Sequence, residues 1–315
     1  MTNNPSSPVN FLSIMVTAVA MGIPGGPVQA APVPGATNWF TKNVKVTFTE
    51  TNMVVESDGV PTHQTGQFPN RGNPNRISAQ RYTFRLPLQP KAAAQPVPLG
   101  MHPFGVAVNG IVFDPGAAEW WRGDRNWQYE PLAGSINLGV DTSNAHVQPN
   151  GAYHYHGLPT GLIEQLTGGK AGEKMVLVGF AADGFPIYGP WGYNDAKDTN
   201  SAIRKLKSSY RVKKGARQGG PGGNYDGAFV ADYEYVPAAG DLDECNGRFG
   251  TTQEFPKGTF YYHLTAEFPF IPRLYRGTPD ESFFRKGPPG GPGGPRFGGP
   301  GGPKGPPQFP PPPKK

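Results

Sequence analysis

The sequence predicts one β-rich domain, all-β or mixed, built of antiparallel sheets with long loops. Three observations predict it. Apolar and polar residues alternate in several short segments, the period of a half-buried strand. Two such segments are split by Asn-Gly and Asp-Gly, the strongest short-range hairpin signal. Finally, the 315 residues include 45 Gly and 38 Pro with only 17% charged residues, a composition of turns rather than of long helices.

Taken in order, residues 1–30 resemble a secretory signal peptide. Phe11 to Ile23 is apolar apart from Ser13, Thr17 and Gly22, and is too short to span a bilayer. Pro24, Gly25 and Gly26 break it, and Val28-Gln29-Ala30 supplies small residues for cleavage after Ala30. The mature chain is therefore expected to be secreted or periplasmic, with no transmembrane helix. Residues 31–38 read as a linker, 39–286 as the domain.

From Trp39 the chain alternates, with Val44, Val46 and Phe48 on one face of a strand or ribbon. Residues 58–80 are a polar loop, 81–88 a strand, and the Pro/Ala-rich stretch that follows a connection. The two hairpins centre on Asn109-Gly110, where both residues are expected at positive φ, and on Asp183-Gly184. A short helix is predicted from Ala202 to Ser208, and strands over 227–236 and 258–265. Residues 287–315 hold 10 Gly and 12 Pro without a three-residue period, which reads as a disordered tail rather than collagen.

The net charge of +6 belongs to that tail. Six basic residues and no acid lie between Arg285 and Lys315, so the rest of the chain is formally neutral. A folded nucleic-acid-binding face is not indicated. One cysteine, Cys245, excludes an internal disulfide and a multi-cysteine zinc site. No serine sits in a nucleophile elbow and no glycine loop is placed to cradle phosphate, so acyl transfer and nucleotide chemistry have no motif here.

The histidines carry the functional signal. Residues 150–159 read NGAYHYHGLP. In an extended chain His154 and His156 share one face, with Tyr153 and Tyr155 on the other. Two imidazoles spaced i, i+2 stand roughly 6–7 Å apart at their Cα atoms, close enough to grip one ion. Pro149, Asn150 and Gly151 can reverse the chain and bring His146 back to the pair. His263 falls in a strand pattern with Tyr261. The expected metal set is therefore His146, His154, His156 and His263. Neutral imidazole suits copper or zinc, with four ligands closing a tetrahedron or three leaving it open. His63 and His102 are weaker candidates, and hydrogen-bonding histidines are the bland alternative.

Two further features are read with their alternatives. The Gly-flanked loop at 240–250 concentrates Asp241, Asp243 and Glu244, which suits calcium, although its spacing is not an EF-hand and a self-bonded turn is favoured. Asp241 or Asp243 could orient a ligating histidine, and Asp183 and Asp241 are the first acids to consider for any reaction. The Trp-rich stretch EWWRGDRNWQYE (119–130) and the cationic tail suit contact with polysaccharide or the cell envelope, in a structural or adhesive module that is the alternative to a metal binder.

The chain resembles the YHYH-domain family, on Tyr153-His154-Tyr155-His156 and on the segments at 177–193, 226–250 and 258–277. The resemblance covers about residues 100–280. It implies an exported domain of mixed β structure whose motif histidines are candidate ligands. Relatives often carry a second cysteine near the position of Leu274, and its absence leaves Cys245 unpaired.

Overall fold

The computed structural model describes residues 36–285, so the expected leader, most of the expected linker and the Gly/Pro-rich C-terminal stretch lie outside the described residues. β1 (Lys45–Phe48), β2 (Asn52–Ser57) and β3 (Tyr82–Pro87) form an antiparallel sheet. Val44 and Val46 are half-buried as their alternation predicts, but Phe48 at the strand end is exposed. β4 (Ala92–Pro98) occupies the expected Pro/Ala-rich connection; it pairs with a late strand near residue 275 and tolerates Pro as a sheet of only two strands can.

The central sheet begins with β5 (Gly105–Ala107), β6 (Val112–Phe113), β7 (Ala145–Val147) and β8 (Tyr153–Tyr155). α1 (Thr160–Thr167) follows, then β9 (Leu177–Ala181), β10 (Pro186–Tyr188) and a pair formed by β11 (Trp191–Tyr193) and β12 (Ile203–Lys205). β13 (Tyr210–Val212) pairs with β14 (Tyr233–Tyr235), β15 (Gly247–Gly250) and β16 (Thr259–His263) complete the sheet, and β17 (Leu274–Gly277) is the partner of β4. The eight-stranded order is β15-β16-β10-β9-β5-β6-β8-β7. It is mixed, because β10 runs parallel to β16 and β6 parallel to β8.

The expected helix at 202–208 is not there. Ile203–Lys205 is extended against Trp191–Tyr193, and Leu206 buries beneath it. The one α-helix among the described residues is instead α1, which the sequence reading missed. Leu162 and Ile163 turn its apolar side inward, and Gly168 ends it at φ 62°. The Gly168-Gly169 pair was the available stop signal.

Both predicted hairpins form, with one correction. Gly110 (φ 81°) and Gly184 (φ 88°) take positive φ, while Asn109 and Asp183 do not. Each loop has three residues: the Gly110 amide donates to Ala107 O and the Gly184 amide to Ala181 O, both at 2.8 Å. A type I turn followed by a left-handed glycine gives this geometry. The same device, Pro149-Asn150-Gly151, joins β7 to β8. There Gly151 (φ 84°) donates to Gln148 O at 2.8 Å.

The core is unusually phenolic. Tyr153, Tyr155, Tyr188, Tyr261, Tyr262 and Tyr275 are all fully buried, and every hydroxyl has a partner. Buried polar atoms left unpaired would cost about 1–3 kcal/mol each, so these six pairings are a condition of the packing. Strand spacing is equally constrained. A Cβ on Gly179 would lie 2.4 Å from Val106 O and 2.8 Å from Phe113 Cε2. Gly179→Ala should therefore destabilise the domain by about 1–3 kcal/mol, the usual cost of overpacking, read as a lower midpoint in urea denaturation.

Candidate metal centre

The hairpin register places the site. Ala145 faces Tyr155, His146 faces His154, and Val147 faces Tyr153 across β7 and β8. The His156 amide then donates to Asn144 O at 2.7 Å, extending the ladder by one more residue. Alternation sends His146, His154 and His156 to one face of the sheet and the two tyrosines to the other. On the tyrosine side, Tyr153 donates to Asp141 at 2.7 Å, while the Tyr155 hydroxyl meets Asn109 at 3.0 Å and His63 Nε2 at 2.6 Å.

The three imidazoles form a nearly equilateral group. Their ring centroids stand 4.7 Å (His146–His154), 4.8 Å (His146–His156) and 4.7 Å (His154–His156) apart. One nitrogen from each lies within 4.8 Å of the other two, and His154 Nε2 and His156 Nε2 are 3.0 Å apart. Nitrogens on a tetrahedral zinc ion sit roughly 3.3 Å apart, so the buried pair already has ligand spacing, and half-buried His146 lies within 4.8 Å of both.

Backbone carbonyls set the tautomers. His146 Nδ1 donates to Leu138 O at 2.8 Å and His154 Nδ1 to Ala152 O at 3.2 Å. With Nδ1 protonated, each neutral ring offers its Nε2 lone pair, the usual outer-sphere arrangement of a ligating histidine. His156 is different: its Nδ1 is buried without a partner. If the His154–His156 contact were an ordinary N–H···N bond, His156 would supply the proton and bury a bare lone pair at Nδ1. The backbone group acting on that ring is the Pro115 carbonyl, an acceptor, which favours a proton instead. A cation accepting both Nε2 lone pairs removes the conflict, so the residues fit a metal ion.

Burial keeps the group uncharged. It pulls His154 down to about 3, with His146's charge adding to the effect, and holds His156 well below the usual histidine range. His146 is also lowered by burial, against the Leu138 carbonyl. Neutral imidazole is the metal-binding form, so protons compete weakly at neutral pH.

His263 does not join this group. β16 and β8 are separated by five strand steps of about 4.8 Å, roughly 24 Å along the sheet. His263 is buried instead beside Tyr188 and Tyr261, donating Nδ1–H to Gly189 O at 2.7 Å. His102 stacks on Phe284 and accepts from the Arg285 amide, and His63 lies on the tyrosine face.

The acids are placed elsewhere too. Asp241 is held by both terminal nitrogens of Arg204, at 2.8 and 2.6 Å, and Asp243 accepts from the Cys245 and Gly247 amides. The loop is thus the self-bonded turn rather than a calcium site, and neither acid orients a ligating histidine. Asp183 is buried against Tyr262 (2.5 Å) and the Gly277 amide (2.8 Å), in the β9–β10 turn. In the Trp-rich stretch Arg125 lies 4.2 Å over Trp120 and Arg122 5.0 Å over Trp121, so the protein's own cations cover the faces expected to meet sugar.

Sequence reasoning passed over two acid–arginine pairs whose cations act on the triad. Asp114, Gln148 and Arg285 make one connected set, and Glu130 pairs with Arg273 at 2.5 Å in another. Asp114 had one sequence signal, an acid directly after the apolar Ile111-Val112-Phe113 arm. Arg285 had none, since 170 residues separate it from its partner.

A family model described as YHYH protein matches residues 83–277, most of the chain, and the chain belongs to that family. No curated protein and no solved structure matches it.

Acid should weaken the metal-free fold. Burial lowers His154 and His263 from 6.5 to about 3, so the unfolded chain takes their protons first. Their contribution is full above about pH 6.5 and lost as pH falls toward 3. Asp114 and Asp183 act oppositely, because burial raises each carboxyl to about 6, but from 3.8 the displacement is smaller than that of each histidine. Thermal melts of metal-free protein should show Tm falling from pH 7 to pH 4. A level or rising Tm would contradict neutral buried imidazoles.

Proposed function

We propose that this protein is an exported binder of a divalent transition metal, copper or zinc, held by His146, His154 and His156. The observation that carries the reading is the convergence of three imidazole nitrogens within 4.8 Å, with His154 Nε2 and His156 Nε2 only 3.0 Å apart. Imidazole-only coordination suits borderline metals and not calcium or magnesium, which take oxygen ligands. Three neutral ligands leave a divalent ion its full charge and at least one coordination position for water or substrate. Zinc or copper at such a position acts as a Lewis acid, and copper can also change oxidation state.

Export rests on the apolar run ending at Val28-Gln29-Ala30. Two features of the domain are consistent with it. No helix among the described residues is long and apolar enough to cross a membrane. Cys245 is free and buried, its thiol pushed up by burial to about 12, so it resists oxidation outside the cell. His263, buried and bonded to Gly189, is left out of the proposed ligand set.

Elemental analysis of untagged mature protein should give close to one equivalent of copper or zinc. The double variant His154→Ala/His156→Ala should carry only background metal and lose the rise in Tm on adding zinc, which mass action requires of a ligand bound to the fold alone. His263→Gln should load as the wild type does. Equal background metal in all three proteins would refute the reading.

A further inference from the structure

The face that carries the three histidines also carries a carboxylate. Val112 is paired with His154 across β6 and β8, and the Asp114 amide donates to Tyr155 O at 2.8 Å. Two residues beyond Val112, Asp114 therefore points to the same side of the sheet as His154 and His156. Gln148 stands two residues beyond His146 on the other flanking strand. Its side-chain amide donates to Asp114 Oδ2 at 3.4 Å, as a shared face allows.

Asp114 is 2% exposed, and the Gly116 amide also acts on its carboxylate. Both Gln148 and the Arg285 guanidinium approach Oδ2, while Oδ1 has no side-chain partner among the described residues. Arg285 is itself fixed by Met101 O at 3.0 Å and by its own amide on His102 Nδ1 at 3.1 Å. Its charge reaches His154 and helps keep that ring neutral. Yet the carboxylate is not one of the donors gathered within 4.8 Å, so it is not a fourth ligand.

We propose that Asp114, held by Gln148 and Arg285, is the outer carboxylate of the metal site and accepts a hydrogen bond from the water or other protic ligand in the position the imidazoles leave open. This rests on the metal-binding reading above. A carboxylate there selects the kind of ligand. A molecule with an O–H or N–H gains a charge-assisted hydrogen bond, whereas an aprotic anion meets only a second negative charge. The site thus favours protic oxygen ligands, such as water, alcohols or protonated oxyacids, over halide-like anions.

Cobalt(II), whose visible bands report its inner ligands, is the probe metal, and azide is the probe anion, titrated into full-length protein. Wild type and variants should each take up about one equivalent of cobalt. Asp114→Asn removes the negative charge and should tighten azide about tenfold. Arg285→Gln removes the cation that keeps Asp114 ionised; at a pH high enough to hold the carboxylate charged without it, azide should weaken about threefold or more. Glu119→Gln, which removes an exposed acid whose charge also reaches His146, should stay within twofold. Opposite shifts in the first two variants are not produced by a merely structural role. Full cobalt loading with unchanged azide affinity in Asp114→Asn and Arg285→Gln overturns the proposal and leaves the metal reading standing. Should Asp114→Asn fail to fold, Arg285→Gln decides alone, with unchanged affinity counting against. No cobalt uptake by wild type ends both.

Discussion

One register holds the site together: His146 opposite His154 across the β7–β8 hairpin. Its cause is local. Gly151 at φ 84° closes a three-residue loop after Pro149 and Asn150, and the fixed loop length fixes which residues face each other. Shifting the pairing by one residue would move His146 to the tyrosine face and set it against Asp141 and His63. The loop is pinned from outside as well, since the Ser78 amide donates to Gly151 O and a Cβ on Gly151 would collide with the Ser78 hydroxyl. The polar 58–80 segment, unremarkable in composition, thus braces the turn that aligns the histidines.

The two sides of β8 solve the same problem by different chemistry. The tyrosine side buries phenols, and neutral partners or a carboxylate saturate them: Asp141 for Tyr153, Asn109 and His63 for Tyr155. The histidine side packs three bases together, two of them with carbonyls behind them, and they face one another. Packing three imidazoles together without a proton donor or an acid among them is costly for a fold that gains nothing from it. A cation in the middle turns that cost into binding energy, because the lone pairs that repel each other become ligands.

Charge around the triad is balanced in pairs. Asp114 with Arg285 and Glu130 with Arg273 each bring one negative and one positive group, all largely buried except Arg285. Neither pair adds net charge, so a bound divalent ion keeps its own. The arrangement separates two jobs that acidic ligands would merge. In the proposed site the histidines would hold the ion, and Asp114 would act on what the ion holds.

Much of this was legible in the sequence, for physical reasons that also mark where legibility stopped. The faces of Tyr153 to His156 and the return of His146 follow from a period of two and one Pro-Asn-Gly turn, both local properties. The glycines of the two other hairpins behave as their type demands, although Asn109 and Asp183 sit in type I rather than mirror-image turns because each loop holds three residues instead of two. His263 was expected at the site because its strand has the right pattern, but pattern does not fix strand order, and β10, β9, β5 and β6 lie between. The segment at 202–208 has helix-compatible residues, and pairing with β11 overrides that propensity. α1 was hidden by being short. Asp114 and Arg285 are brought together only by the fold.

X-ray absorption at the edge of the metal that the purified protein carries tests the central claim most directly. Three imidazole ligands would appear as a nitrogen shell at about 2.0–2.1 Å with the outer-shell scattering of histidine rings. A first shell of oxygen alone, or one containing sulfur from Cys245 or a methionine, would contradict a site made by His146, His154 and His156.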